Sequence, residues 1–143
     1  MKVLVTGADG FIGKNLHVAL REKQGVEVLP IIRSSSADAL QEAARSADAV
    51  IHLAGVNRPQ DPAEFSAGNM DFTAALSDAL AATGRAIPVA FASSIQAERD
   101  NPYGVSKLQA ELHLAAYAER SGAPVAIYRL ANVFGKWSRP DYN

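Results

Sequence analysis

Short apolar runs alternate along this chain with stretches in which apolar residues recur every three or four positions. The runs fall at residues 3–5, 26–32, 49–54, 88–93 and 125–130, and the helix-period stretches at 11–23, 37–47 and 103–121. Between the third and fourth runs, Asp61-Pro62-Ala63-Glu64 supplies an N-cap, a proline at the first helical position and an acid at the third. A further helix is therefore predicted from there to a stop at Gly84, interrupted at Gly68. Strands alternating with helices predict an α/β protein with a parallel sheet. The runs are apolar throughout rather than alternately apolar and polar, which predicts burial on both faces.

The expected architecture is a Rossmann-type doubly wound parallel sheet of about five or six strands, in the order 2-1-3-4-5 along the chain. Only one helix fits between the second run and residue 49, so one βα unit of the full fold is expected to be missing. The 143 residues suffice for one domain, taken as a dinucleotide-binding domain over 1–143. A polar segment, GKWSRPDYN, follows the last run directly. The expectation is a truncation before the substrate domain, leaving a segment inactive by itself.

Composition narrows the partners. Lys and Arg number 14 against 15 Asp and Glu, which gives no reason to expect nucleic acid or an anionic membrane surface. No apolar run approaches the roughly twenty residues of a membrane span, and no signal-peptide shape precedes the first strand. With no cysteine, disulfide frameworks and thiolate zinc sites are excluded. A cytoplasmic protein is expected.

Candidate chemistry begins at VLVTGADGFIGKNL, where Gly7, Gly10 and Gly13 stand at three-residue steps between a strand and a helix. Glycines there let the chain turn tightly and let a pyrophosphate approach, while the helix amides and dipole supply positive field. A turn with packing value only is the alternative. A second pattern, Tyr103-Gly104-Val105-Ser106-Lys107, puts a phenol and an ammonium one helical turn apart on one face. A neighbouring cation favours the phenolate, as an acid/base for alcohol–carbonyl interconversion requires, although an aromatic packed over a lysine stem has the same spacing. Ser93 and Ser94 end the preceding strand, at the carboxyl edge where α/β sheets bind ligands, and one of them can face a substrate.

These residues resemble the extended short-chain dehydrogenase/reductases, the NAD-dependent epimerase/dehydratase family. TGADGFIG resembles its glycine loop, HLAG at 52–55 its fourth-strand motif, and ASSIQ followed by YGVSK its serine and Tyr-x-x-x-Lys sites. The phrases IHLAGVNRP, DNPYGVSKLQAE and NVFGKW are similar to the reductase domain of CapF-type enzymes of capsular polysaccharide synthesis, which join such a domain to a C-terminal cupin. The resemblance implies hydride transfer from NADPH to a UDP-linked keto-deoxy-sugar, a precursor of the N-acetyl-L-fucosamine type. It implies Tyr103 as the acid, Lys107 as its activator and ribose ligand, and Ser94, rather than Ser93, beside the substrate carbonyl. By the same resemblance Gly7, Gly10, Phe11 and Ile12 would line the pyrophosphate, and Leu53 and Ala54 the adenosine half, with Asn69 structural. A homodimer is the candidate assembly of the full-length protein. The rivals are an NAD-dependent nucleotide-sugar epimerase or dehydratase and a non-catalytic dinucleotide-sensing module.

The long link 96–102 departs from the family's shorter turn and leaves the position of Tyr103 open. Arg33, with Ser34 to Ser36 and no acid before Asp38, ends the second strand where a 2′-phosphate would sit, so NADP(H) is expected over NAD(H). No carboxylate spacing around His17, His52 or His113 reads as a metal site, and solvated or packed histidines are expected. Trp137 is expected to pack on the domain, and Arg58 and Arg129 to make ordinary pairs as readily as to reach a phosphate.

Overall fold

The computed structural model describes residues 1–57, 61 and 63–138. Arg58 and Pro62 lie outside the described residues. Five parallel strands form one sheet: β1 (Lys2–Thr6), β2 (Glu27–Ile31), β3 (Ala49–His52), β4 (Val89–Ser94) and β5 (Val125–Leu130), in the order β2-β1-β3-β4-β5. This is the expected order, with the lower of the two strand numbers. The register sets Val3 beside both Val28 and Ala49, and Phe91 beside both His52 and Ile127.

The order reverses at β1. β1 connects to β2 on one side through α1 (Phe11–Arg21), and every later crossover moves the other way. Right-handed crossovers then put α1 on one face and α2 (Ala37–Ser46), α4 (Phe72–Ala81) and α5 (Pro102–Ser121) on the other, where they pack side by side. Between β3 and α4 lie a single turn, α3 (Ala63–Phe65), and a π-helical turn, Ser66–Asp71. The interruption expected at Gly68 is this π turn, and a side chain at Gly68 would collide with Val56.

The main core lies under the three-helix face, where Leu4, Val50, Phe91, Leu76, Leu80, Leu114 and Tyr117 are fully buried. Tyr117 is buried at no polar cost, since its hydroxyl donates to the carbonyl of Ile87 and accepts from that residue's amide. Burial on both faces fails for β5. Its residues 126–129 are exposed, because β5 is the edge strand and is only partly covered by α5 and by the 3-10 turn Ile95–Glu98. Among the described residues no helix is long and apolar enough to cross a membrane.

The glycine spacing has a steric explanation. Gly7 is left-handed, φ +65°, and a Cβ there would stand 2.8 Å from the amide nitrogen of Ala54. A Cβ at Gly13 would fall inside the carbonyl oxygen of Gly7. The loop therefore closes on itself and on the end of β3 at backbone distance. Gly13→Ala is expected to cost about 1–3 kcal/mol by overpacking, read as a lowered urea midpoint with the slope unchanged. An unchanged midpoint would show that the first turn of α1 can move aside.

Candidate functional site

At the carboxyl edge of β1 the loop 7–10 leads into α1 without a side-chain cap: Gly10 is the N-cap, and the first helical bond runs from Lys14 N to Gly10 O at 2.9 Å. The amides of Phe11, Ile12 and Gly13 thus precede the helical ladder, and no acid stands in the first turn. Leu53 and Ala54 stand directly beside this loop, both amides donating to Thr6 Oγ1 at 3.2 and 3.1 Å. Gly7, Gly10, Phe11, Ile12, Leu53 and Ala54 are therefore brought to one place. A glycine loop leading into uncapped helix amides is suited to the pyrophosphate of a dinucleotide.

From Thr6 a chain of hydrogen bonds crosses the core. Thr6 accepts from those two amides, so its own proton goes to His52 Nδ1, 2.6 Å away. His52 then carries its proton on Nε2 and donates to Thr73 Oγ1 at 2.8 Å, while Thr73 donates to the carbonyl of Asn69 at 2.6 Å. The Asn69 side chain accepts from Val56 N and donates to Val56 O and to Ser106 Oγ, at 2.8, 3.1 and 2.9 Å. Ser106 closes the chain on the carbonyl of Tyr103 at 2.8 Å. Burial first, and then the charge of Lys107, push the pKa of His52 down to about 3. Asn69 is buried and held by Val56 and Ser106, and His52 is the packed histidine.

Lys107 is buried, yet it pairs with no carboxylate among the described residues. Its ammonium donates to the carbonyl of Ala92 at 3.1 Å and lies 4.9 Å over the Phe91 ring. Burial pulls its pKa down to about 8, against the opposing pull of Glu111. A Cβ on Gly55 would stand 2.9 Å from both Lys107 Nζ and Asn69 Oδ1, so the glycine of HLAG makes room for the lysine tip. Tyr103, one turn earlier, packs its ring against Phe65 at 5.7 Å.

The link before Tyr103 is folded onto α5. Ser94 caps a 3-10 turn, Ile95–Glu98, by accepting from Gln96 N, and Asn101 caps α5 by accepting from Gly104 N at 2.8 Å. A side chain at Gly104 would strike the carbonyls of Gln96 and Arg99, so this glycine lets the link and helix touch. Ser93 is committed elsewhere, donating to Glu111 Oε1 at 2.5 Å. Of the two serines, Ser94 is the one not held by Glu111.

Arg33 is exposed and paired with Glu64 at 3.1 Å, and Glu64 precedes the Phe65 that packs on Tyr103. Ser35 and Ser36 accept from local amides, the latter capping α2. Arg129 pairs with Glu111 and Glu98. Trp137 is partly exposed beside Lys136, with a left-handed backbone. Sequence reasoning missed Thr6, Thr73, Ser106, Gly104 and the Glu111–Arg129 pair. For the last the only signal was an acid one turn after Lys107.

A doubly wound sheet with a glycine loop at its switch point and a Tyr-x-x-x-Lys helix beside it is the arrangement of the short-chain dehydrogenase/reductases. The model of the NAD dependent epimerase/dehydratase family matches residues 3–143, and the chain belongs to that family. It is 58% identical over its whole length to a UDP-2-acetamido-2,6-beta-L-arabino-hexul-4-ose reductase of Pseudomonas aeruginosa, of which it covers 38%. It superposes on the capsular polysaccharide assembling protein CapF of Staphylococcus aureus with a TM-score of 0.86 and 44% identity, covering 100% of this chain and 39% of that one. The RMD protein of Pseudomonas aeruginosa, in its complex with NADPH, superposes with a TM-score of 0.79 and 29% identity over 92% of this chain and 55% of that one. The chain thus spans well under half the length of the first two relatives.

The depressed pKa of His52 carries a sign that can be checked. Unfolded His52 takes up a proton near pH 6.5, while the folded residue refuses it until about pH 3. Its contribution is present above pH 6.5 and is lost on acidification toward pH 3, at up to about 1.4 kcal/mol per pH unit. Urea melts at pH 7, 6 and 5 should show this slope, and His52→Gln should flatten it. Equal slopes in both proteins would mean that His52 charges freely in the fold.

Proposed function

We propose that this chain is the cofactor-binding part of an NADPH-dependent reductase acting on a UDP-linked 4-keto-deoxy-sugar in the synthesis of a surface polysaccharide. The observation that carries the reading is the buried, carboxylate-free Lys107 one turn after Tyr103, its tip under Gly55 beside the glycine loop. The likeness to a hexul-4-ose reductase and to CapF supports the substrate class.

A nicotinamide dinucleotide, when bound, supplies the hydride. Tyr103 donates its phenolic proton to the oxygen that develops negative charge as the carbonyl is reduced, and the resulting phenolate is stabilised by the Lys107 ammonium. Lys107 also holds the nicotinamide ribose. Ser94 donates its hydroxyl proton to the same carbonyl oxygen, orienting it toward Tyr103. Phe11 and Ile12 offer their amides to the pyrophosphate, and Arg33 reads the 2′-phosphate. The ion pair of Arg33 with Glu64 is exposed and worth at most about 1 kcal/mol, so a phosphate can displace it. Glu64 is also the observation that favours the NAD reading, because an acid near the end of β2 could accept the ribose 2′-hydroxyl.

Two measurements test this. In the protein at the full length of its relatives, Tyr103→Phe should lower kcat for reduction of a UDP-4-keto-sugar by about two to four orders of magnitude with cofactor affinity retained. Near-native turnover would reduce the Tyr-x-x-x-Lys to a packing pair. Dissociation constants for NADPH and NADH should differ in favour of NADPH, and Arg33→Ala should remove most of the difference. Equal affinities in the wild type, or an NADPH preference that survives the substitution, would show that Arg33 does not read the 2′-phosphate, and tighter binding of NADH would favour Glu64 and the NAD reading.

A further inference from the structure

Four elements meet behind the Tyr103–Lys107 pair at a cluster of buried polar groups that the proposed reaction does not use. Glu111 is buried on α5, one turn beyond Lys107 and on the same face. Arg129 on β5 grips both its oxygens, Nε to Oε1 at 3.0 Å and Nη2 to Oε2 at 2.6 Å. Ser93 at the end of β4 donates to Oε1 at 2.5 Å, and the remaining arm of Arg129 reaches Glu98 of the 3-10 turn at 2.9 Å. A planar, two-pronged guanidinium grip is the strongest hold available on a carboxylate. An i, i+4 lysine would otherwise be its natural partner, yet Lys107 bonds to the carbonyl of Ala92 instead.

We propose that Arg129 is a positioning residue for the catalytic pair: by occupying both oxygens of Glu111 it withholds that carboxylate from Lys107, and through Ser93 and Glu98 it fixes the strand end and turn that carry Ser94. The proposal rests on the roles given above to Tyr103, Lys107 and Ser94. A Lys107 captured by Glu111 would turn along the helix, away from the Ala92 carbonyl and the glycine loop. The acid is held ionised for this purpose. Burial raises the carboxyl's pKa, but hydrogen bonds from Arg129 and Ser93 and the charges of Arg129 and Lys107 outweigh it and keep it below the usual range.

The charged and titratable groups around Lys107 are few. Tyr103 and Glu111 lie on its own helix, neutral His52 faces it from β3, and Arg129 on β5 and Glu98 in the 3-10 turn act through Glu111. The π turn and α4 present Asn69 and Thr73, which carry no charge.

The test reads the lysine directly, in this chain, by NMR titration of lysine side chains labelled at Cε, with the Lys107 signal assigned by its loss in Lys107→Arg. The wild-type midpoint should lie near 8. Arg129→Ala frees Glu111 to pair with Lys107 and should raise the midpoint by about half a pH unit or more. Glu111→Gln leaves Arg129 uncompensated and should lower it by a similar amount. The double variant should return close to the wild type. Simple loosening of the fold would move both single variants in the same direction, back toward an ordinary lysine. Midpoints that do not move, or that rise in both, overturn the proposal. Should Arg129→Ala fail to fold, the near-isosteric Glu111→Gln decides alone: a midpoint that holds or rises refutes it. Because the readout needs no turnover, it can fail while the reductase reading stands, and the reverse.

Discussion

Everything at the carboxyl edge of this sheet hangs on keeping one buried imidazole neutral. His52 has a proton acceptor on one side and a donor on the other, and both neighbours are fixed in direction by backbone groups: Thr6 by the amides of Leu53 and Ala54, Thr73 by the carbonyl of Asn69. No second proton fits without breaking the sequence of donors. The consequence is mechanical as well as electrostatic. The same chain of bonds ties the strand that precedes the glycine loop to the helix that carries Tyr103 and Lys107, so the glycine loop and the Tyr-x-x-x-Lys pair share one hydrogen-bonded frame.

Within that frame Lys107 is a buried cation with no ion-paired carboxylate among the described residues, which is ordinarily expensive. Three local arrangements reduce the cost. The carbonyl of Ala92 accepts from it, the Phe91 ring offers its negative face, and Gly55 leaves space for the tip. Phe91 serves twice, since its ring also stacks on His52 at 4.9 Å.

The fold was legible because its signals are local and repeated. Apolar runs and helix-period stretches gave the element order, and the strand order with its reversal at β1 was the one a doubly wound sheet of that alternation takes. The glycine loop, HLAG and the Tyr-x-x-x-Lys helix were legible as spacings. The unread part depends on meetings between distant residues: Thr6 with His52 is 46 positions apart, Ser93 and Arg129 each meet Glu111 across 18. No periodicity announces such pairs. The expectation that all strands are covered on both faces failed at β5 because apolar content reports what a strand could bury, not what packs on it within these residues.

The π turn at Ser66–Asp71 has a consequence for how this sequence can vary. A π turn holds one residue more than the α-helix it interrupts, and each residue of an α-helix advances the rotation by about 100°. Removing one position between Phe65 and Phe72 would restore a regular helix and swing Asn69 around the axis, off Val56 and Ser106. A deletion there would displace Asn69 without changing any side chain, so the length of this segment matters as well as the identity of Gly68 and Asn69.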